Sequence, residues 1–334
     1  ILNMPKYQAA PALEHRQFGI FVAKGPNIKA NEKQSNEIPA EKIQLFVDIF
    51  KRIKEQYVDD VDDETLFDYA IEGMVSKLDP HSSFLSKDDF DELKIGTTGR
   101  FGGLGIEITM ENDFVKIVSP IDDTPASRAG LQSGDLIIEV DNVSLRGKTI
   151  NDAVKLMRGE PGTSVNIVLI RKNLEKPLEI DITRAIIQSK GIKSDIFNKN
   201  IGYVRLSSFQ SNSVNYLKQT ISKIKKDSKN NLNALILDLR NNPGGVLGSA
   251  VGISDLFLTE GKIVYTKGRT GNSDFEYFAT PQDILNGLPL IVMINEGSAS
   301  ASEIVAGALQ DHQRATIIGT KSYGKASVQT IQEL

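Results

Sequence analysis

The chain has 334 residues, about twice a typical domain, so two or three domains are expected. Lys and Arg number 39 against 43 Asp and Glu, a net charge of −4, which argues against a phosphate-backbone partner. No apolar run exceeds about seven residues (288–294), far short of a bilayer span, so nucleic-acid binding and membrane spanning are both disfavoured. Apolar residues make up 40% and charged residues 25%, ordinary for a protein with real cores. The absence of cysteine excludes disulfides, thiolate zinc sites and cysteine nucleophiles. Only His15, His81 and His312 are present, without ligand spacing, which argues against metal catalysis; a Ser-His-Asp triad would have to recruit one of them.

Residues 1–40 contain four prolines and no sustained period, and read as an N-terminal arm. No apolar stretch follows a basic start there, so no signal peptide is expected in it, and a start at Ile1 without methionine suggests a processed or trimmed end. Ile43, Phe46, Val47, Phe50, Ile53 and Tyr57 follow a helical period after Pro39. A second helix follows the acidic turn 59–63, with Leu66, Ala70, Met74 and Leu78 expected inward, and Leu78-Asp79-Pro80-His81-Ser82-Ser83 stops it. A short acidic helix over 86–93 completes a helical unit assigned to 41–98.

From Gly99 to Arg184 the pattern changes to short strands at 106–108, 114–118, 136–140, 165–169 and 178–182, with one amphipathic helix at 151–157. Beyond 200, strands at 203–206, 234–238, 290–294 and 316–318 alternate with helices at 213–226, 248–258 and 300–310. That alternation predicts an α/β layer with a largely parallel sheet, interrupted by a β-rich flap over Lys262–Asp283.

Four constellations could carry chemistry. Gly103-Leu104-Gly105-Ile106, before a strand, offers backbone N–H groups for a carboxylate, and the strand edge beyond could pair with an extended peptide. With the strand order, the segment 126–135 and the later helix, it resembles a bacterial-type PDZ domain over 99–184, which implies recognition of peptide C-termini. Asn241-Asn242-Pro243-Gly244-Gly245 ends a buried strand with amides better suited to an oxyanion than to a nucleotide. In Gly297-Ser298-Ala299-Ser300-Ala301-Ser302-Glu303 a strand runs into a helix, so a serine hydroxyl can project at the helix start; alternatively Ser298 or Ser300 caps the helix, with Glu303 as the capping-box acid. Lys325, on a glycine-bounded turn, could serve as a base if buried beside Ser300, oriented by Gln329 on the same strand; Lys321 reads as a solvated neighbour.

These motifs in this order resemble the carboxy-terminal processing proteases, the tail-specific S41 serine peptidases, from near residue 40 to the end of the chain. The resemblance implies an α/β multidomain protein: a helical N-terminal unit, a β-rich PDZ domain, and a ClpP/crotonase-like α/β catalytic core over 185–334. It implies Ser300 as nucleophile, Lys325 as general base, Gln329 as its orienting partner, and Gly245 and Ala301 as oxyanion amides, with Gly244 as a neighbouring alternative. Ala326 stands where the family usually has glycine, and family cores continue beyond the glutamine, so further C-terminal sequence is expected.

The implied function is an endopeptidase cleaving protein substrates near their C-termini in the bacterial envelope, in the periplasm, without metal or cofactor. Partners would be proteins or peptides with exposed C-termini, and the resemblance leaves open an adaptor or lipoprotein activator and a homo-oligomer. Arg158, at the end of the PDZ helix, is either a solvated cap or a regulatory residue docking the PDZ domain on the catalytic body. Two competing readings are an inactive PDZ scaffold and an acyl-CoA-type enzyme with Gly-Gly amides on a thioester; the second explains neither the PDZ region nor Lys325.

Overall fold

A computed structural model describes residues 39–111, 113–172, 174–269 and 273–332, so the N-terminal arm up to residue 38 lies outside the described residues. The chain divides into two compact units, residues 1–90 with 234–334 and residues 91–233. Among the described residues no helix is long and apolar enough to cross a membrane.

Helix α1 (Ala40–Gln56) follows Pro39, and α2 (Asp63–Ser76) is capped by Asp62, whose carboxylate accepts the Thr65 N–H. The helical period is borne out but the expected inward face is not. No residue of α1 is buried, Met74 and Leu78 are exposed, and only Leu66 of α2 is buried. Phe46, Phe50 and Phe67 pack on one another, but no described element covers the rest of that face. Helix α3 (Lys87–Thr98) runs a turn beyond the sequence expectation. It ends at Gly99, whose φ of 69° is easy only for glycine and whose N–H reaches Ile95 O.

In the 91–233 unit, β1 (Arg100–Gly103) is followed by β2 (Ile106–Glu111), β3 (Phe114–Pro120), the short α4 (Pro125–Arg128), β4 (Leu136–Val140) and β5 (Val143–Ser144). Then come α5 (Ile150–Met157), β6 (Ser164–Ile170), β7 (Leu178–Thr183), β8 (Ala185–Gln188), β9 (Ile192–Phe197), β10 (Ile201–Leu206) and α6 (Ser213–Asp227). The antiparallel order β2-β3-β4-β6-β7 leaves β2 at an edge. Its core includes Val115 and Ile117 of β3, Ile137 and Val140 of β4 on either side of a bulge, and the alternating Val165, Ile167 and Leu169 of β6. Two arginines hold the irregular parts. Arg171 forks onto the buried Asp135 through Nε (2.8 Å) and a second nitrogen (2.7 Å), and Arg184 donates to Leu156 O and Met157 O (both 3.0 Å), carbonyls at the end of α5 that lack helical partners. Strands β1, β8 and β9 are additional to the sequence reading; β1 pairs with β8 and β9 with β10.

In the other unit, β11 (Ala234–Asp238), α7 (Leu247–Asp255), β12 (Lys262–Thr266), β13 (Phe275–Phe278), β14 (Leu290–Ile294), α8 (Ala301–Asp311) and β15 (Thr316–Gly319) follow in order. Strand β14 lies between β11 and β15, parallel to both, as the alternation of apolar strands and helices predicts. The flap expected at 262–283 contains the antiparallel hairpin β12-β13. Because the three parallel strands point the same way, the loops after Asp238, Ile294 and Gly319 all leave one edge of the sheet.

Candidate active site

Those three loops hold the second, third and fourth constellations, at the strand ends where open α/β sheets place their ligands. The first two loops are joined by reciprocal side-chain bonds: Asn295 Nδ2 donates to Asn241 Oδ1, and Asn241 N donates to Asn295 Oδ1, both at 2.8 Å. Ser298 Oγ donates to Leu239 O (2.8 Å), and Ser302 Oγ and Ala299 N donate to Asn242 O (2.9 and 3.0 Å). Ser298, Ser302 and Asn242 are fully buried, so these bonds form away from water. Ser298 is thus a strut between loops, not a helix cap.

Ser300 precedes α8 with φ 54° and ψ −112°, a backbone conformation that serine seldom adopts. Strain of this kind holds a nucleophile on a sharp strand-to-helix turn. The Gly-Gly turn lies against it. A methyl on Gly244 would stand 2.8 Å from Ala299 O, 2.9 Å from Ser300 Cβ and 3.0 Å from Ala301 N. The Gly244 N–H donates to Asn242 Oδ1 (2.9 Å), so that amide is engaged within its own turn. Gly245 follows with φ 141°, and Ala301 opens α8, where a first-turn N–H has no helical acceptor.

Glu303 is the centre of the arrangement. Its Oε2 accepts both Ser300 N (2.7 Å) and Lys325 N (2.9 Å), while Oε1 accepts Gly324 N (2.6 Å) and Ser322 Oγ (2.8 Å). The sequence assigned it only the bond to Ser300, through the capping-box spacing. Its other three donors lie 19 to 22 positions away, where no local pattern could reveal them. One carboxylate oxygen thus brings the backbones of Ser300 and Lys325 within two hydrogen-bond lengths. Tyr323 N, donating to Ser298 O at 3.0 Å, adds a fourth backbone tie.

Lys325 Nζ donates to Gln329 Oε1 (2.8 Å), and Gln329 Nε2 donates to His81 O (2.7 Å). The two side chains meet as expected, but not on a strand: residues 320–332 carry no regular structure. Lys325 is half-buried and its amine is held by Gln329; among the described residues no hydrogen bond joins it to Ser300 Oγ. Lys321 is exposed.

Residues 200–334 match peptidase family S41, residues 116–171 a PDZ domain, and residues 6–89 the activating protease CtpB N-terminal domain. A carboxy-terminal-processing protease of Bartonella bacilliformis is 46% identical over 316 residues, covering 94% of this chain and 73% of that protein. The chain belongs to the S41 carboxy-terminal processing peptidases. A carboxyl-terminal-processing protease of Synechocystis is 36% identical over 79% of this chain and 62% of its own length. Among solved structures, a photosystem II D1 C-terminal processing protease is 27% identical, with 86% of this chain and 83% of that one covered and a TM-score of 0.43. The chain therefore spans about six to seven tenths of these curated relatives.

The other expected site residues of this S41 chain lie in the 91–233 unit. Gly103 ends β1, Ile106 starts the edge strand β2, and between them Leu104 O accepts Ala126 N while Gly105 O accepts Ile121 N, both at 2.9 Å. The Gly105 φ of 80° and the Thr124 side chain, 2.4 Å from where a methyl would stand, leave room only for glycine. Arg158 is not a solvated cap. It pairs with Glu92 of α3, its guanidinium lies 4.9 Å from the Phe101 ring centre, and its Nε is buried without a partner. Among the described residues no cluster of His, Asp and Glu could hold a metal ion.

Proposed function

We propose that this chain is a serine endopeptidase that cleaves protein substrates near their C-termini through a Ser300–Lys325 dyad. The single observation that carries this reading is the Glu303 Oε2 atom shared by the Ser300 and Lys325 backbone N–H groups. With that anchor, the lysine amine reaches Ser300 Oγ while one of its hydrogens stays on Gln329 Oε1. The amine takes the hydroxyl proton as Oγ attacks the scissile carbonyl. The Gly245 and Ala301 amides receive the oxyanion, since the Gly244 amide is engaged by Asn242. The ammonium then protonates the leaving amine, and the amine later takes a proton from the water that hydrolyses the acyl-enzyme.

Substrate tails would add to the edge strand β2, with the carboxylate at Gly103–Ile106. The site of action we infer is the bacterial envelope, consistent with the bacterial source of the curated relatives.

Cleavage of an unstructured protein by the parent, Ser300→Ala and Lys325→Ala chains tests the dyad. A loss of about a thousandfold or more in kcat is expected for each variant, and undiminished cleavage by either overturns the dyad. Binding of a tail peptide with a free versus an amidated C-terminus tests recognition; equal affinity would remove carboxylate capture.

A further inference from the structure

The turn that stops α2 has so far no part in the chemistry, although one of its carbonyls reaches Gln329. Asp79 Oδ1 accepts two successive backbone N–H groups, of His81 (2.7 Å) and Ser82 (2.8 Å), while Oδ2 accepts Ser82 Oγ (2.7 Å). Pro80, with its fixed φ, lies inside this ring. The chain is thereby bent so that the His81 carbonyl points outward to Gln329 Nε2, 2.7 Å away and 248 positions distant in sequence.

A carboxamide has a donating and an accepting end. A carbonyl can only accept, so His81 O obliges Gln329 to present its NH2 there and its oxygen to Lys325. With the amide turned over, two oxygens would face each other and the NH2 would stand against the lysine amine, which in its ammonium form has only protons to offer. The orientation of Gln329 is therefore decided by the backbone of the Asp79 turn.

We propose that Asp79 is a positioning residue for catalysis: through the His81 carbonyl it fixes the amide of Gln329, and through Gln329 the amine of Lys325. This rests on the reading of Lys325 as general base. Asp79 touches no reacting atom and acts only by holding the turn.

Peptide cleavage by the full chain, with kcat and KM measured separately, tests it. Asp79→Ala and Gln329→Ala are each expected to lower kcat by about ten- to a hundredfold with KM unchanged. The double variant should be no slower than Gln329→Ala alone, since both changes break one chain of contacts. Asp79→Asn, whose amide oxygen can still accept the two backbone N–H groups, should recover most of the loss. If the two losses multiply, or Asp79→Ala changes only KM, the inference is overturned while the dyad stands. If Lys325→Ala cleaves normally, the reading beneath it fails first. Should Asp79→Ala not fold, Ser82→Ala, which removes the 2.7 Å hydroxyl bond, replaces it in the same cycle with Gln329→Ala, and multiplicative losses again overturn the inference.

Discussion

The turn carrying Ser300 is fixed by buried backbone and hydroxyl bonds to the loop after β11, whereas the segment carrying Lys325 has no regular structure and rests mainly on one carboxylate and one carbonyl. The proposed nucleophile is thus a product of the sheet itself, and disturbing it should disturb folding. The proposed base is placed by a few polar contacts that contribute little to the core, so its geometry can change while the fold persists.

Glu303→Gln should break the comparison most sharply. Glutamine offers one oxygen to four donors and turns an NH2 toward the others, so kcat should fall about a hundredfold with only a small change in Tm. A large drop in Tm instead would mean that the lysine segment is as much part of the fold as the serine turn. Ser298→Ala is the converse test. It leaves the Leu239 carbonyl without its buried hydroxyl partner, and a loss of about 1–3 kcal/mol in chemical denaturation is expected. An unchanged denaturation midpoint would contradict the view of Ser298 as a strut.

The Asp79 turn adds a dependence on pH. The Ser82 hydroxyl foremost, then the His81 and Ser82 backbone N–H groups, hold the Asp79 carboxyl below its ordinary value of 3.8. Because the folded value lies below the unfolded one, the stabilisation is complete above the ordinary value and is lost as pH falls through the lowered one. The charge-dependent part of the stability difference between the parent and Asp79→Ala should therefore be lost in acid, leaving the part that a neutral oxygen can supply; a difference independent of pH would show that the charge adds nothing to these hydrogen bonds.

The smallest effect is expected from Arg158→Ala, which removes a partly exposed ion pair with Glu92 and a contact with Phe101. Peptide affinity and cleavage rate should each shift by about two- to fivefold, the scale of one exposed pair. If neither moves, Arg158 has no regulatory part.

The sequence was most informative where chemistry and local geometry coincide. Ser300, Gly244 and Gly245 each lie on a glycine-rich turn after a buried apolar strand, and Lys325 follows the glycine-ended β15, so strand patterning put them at one sheet edge. It was silent where a contact joins distant segments. Glu303 could be read as a cap but not as the anchor of Gly324 and Lys325, and nothing local to Asp79 or His81 points to Gln329. Helix α1 shows a third kind of limit. Its period announces a helix and an apolar face, but period alone does not say what covers the face, and among the described residues Ile43, Phe46 and Val47 stay exposed.

The close fit of Gly244 bears on how such a site can change over generations. Every substitution there adds at least a methyl group, which would press on the backbone of Ala299 and Ala301 and on Ser300 itself, at a φ of 106° that side chains already resist. No single step away from glycine leaves the Ser300 turn undisturbed. The loop can therefore be retuned only through its neighbours, among them Asn242, whose side chain engages the Gly244 amide.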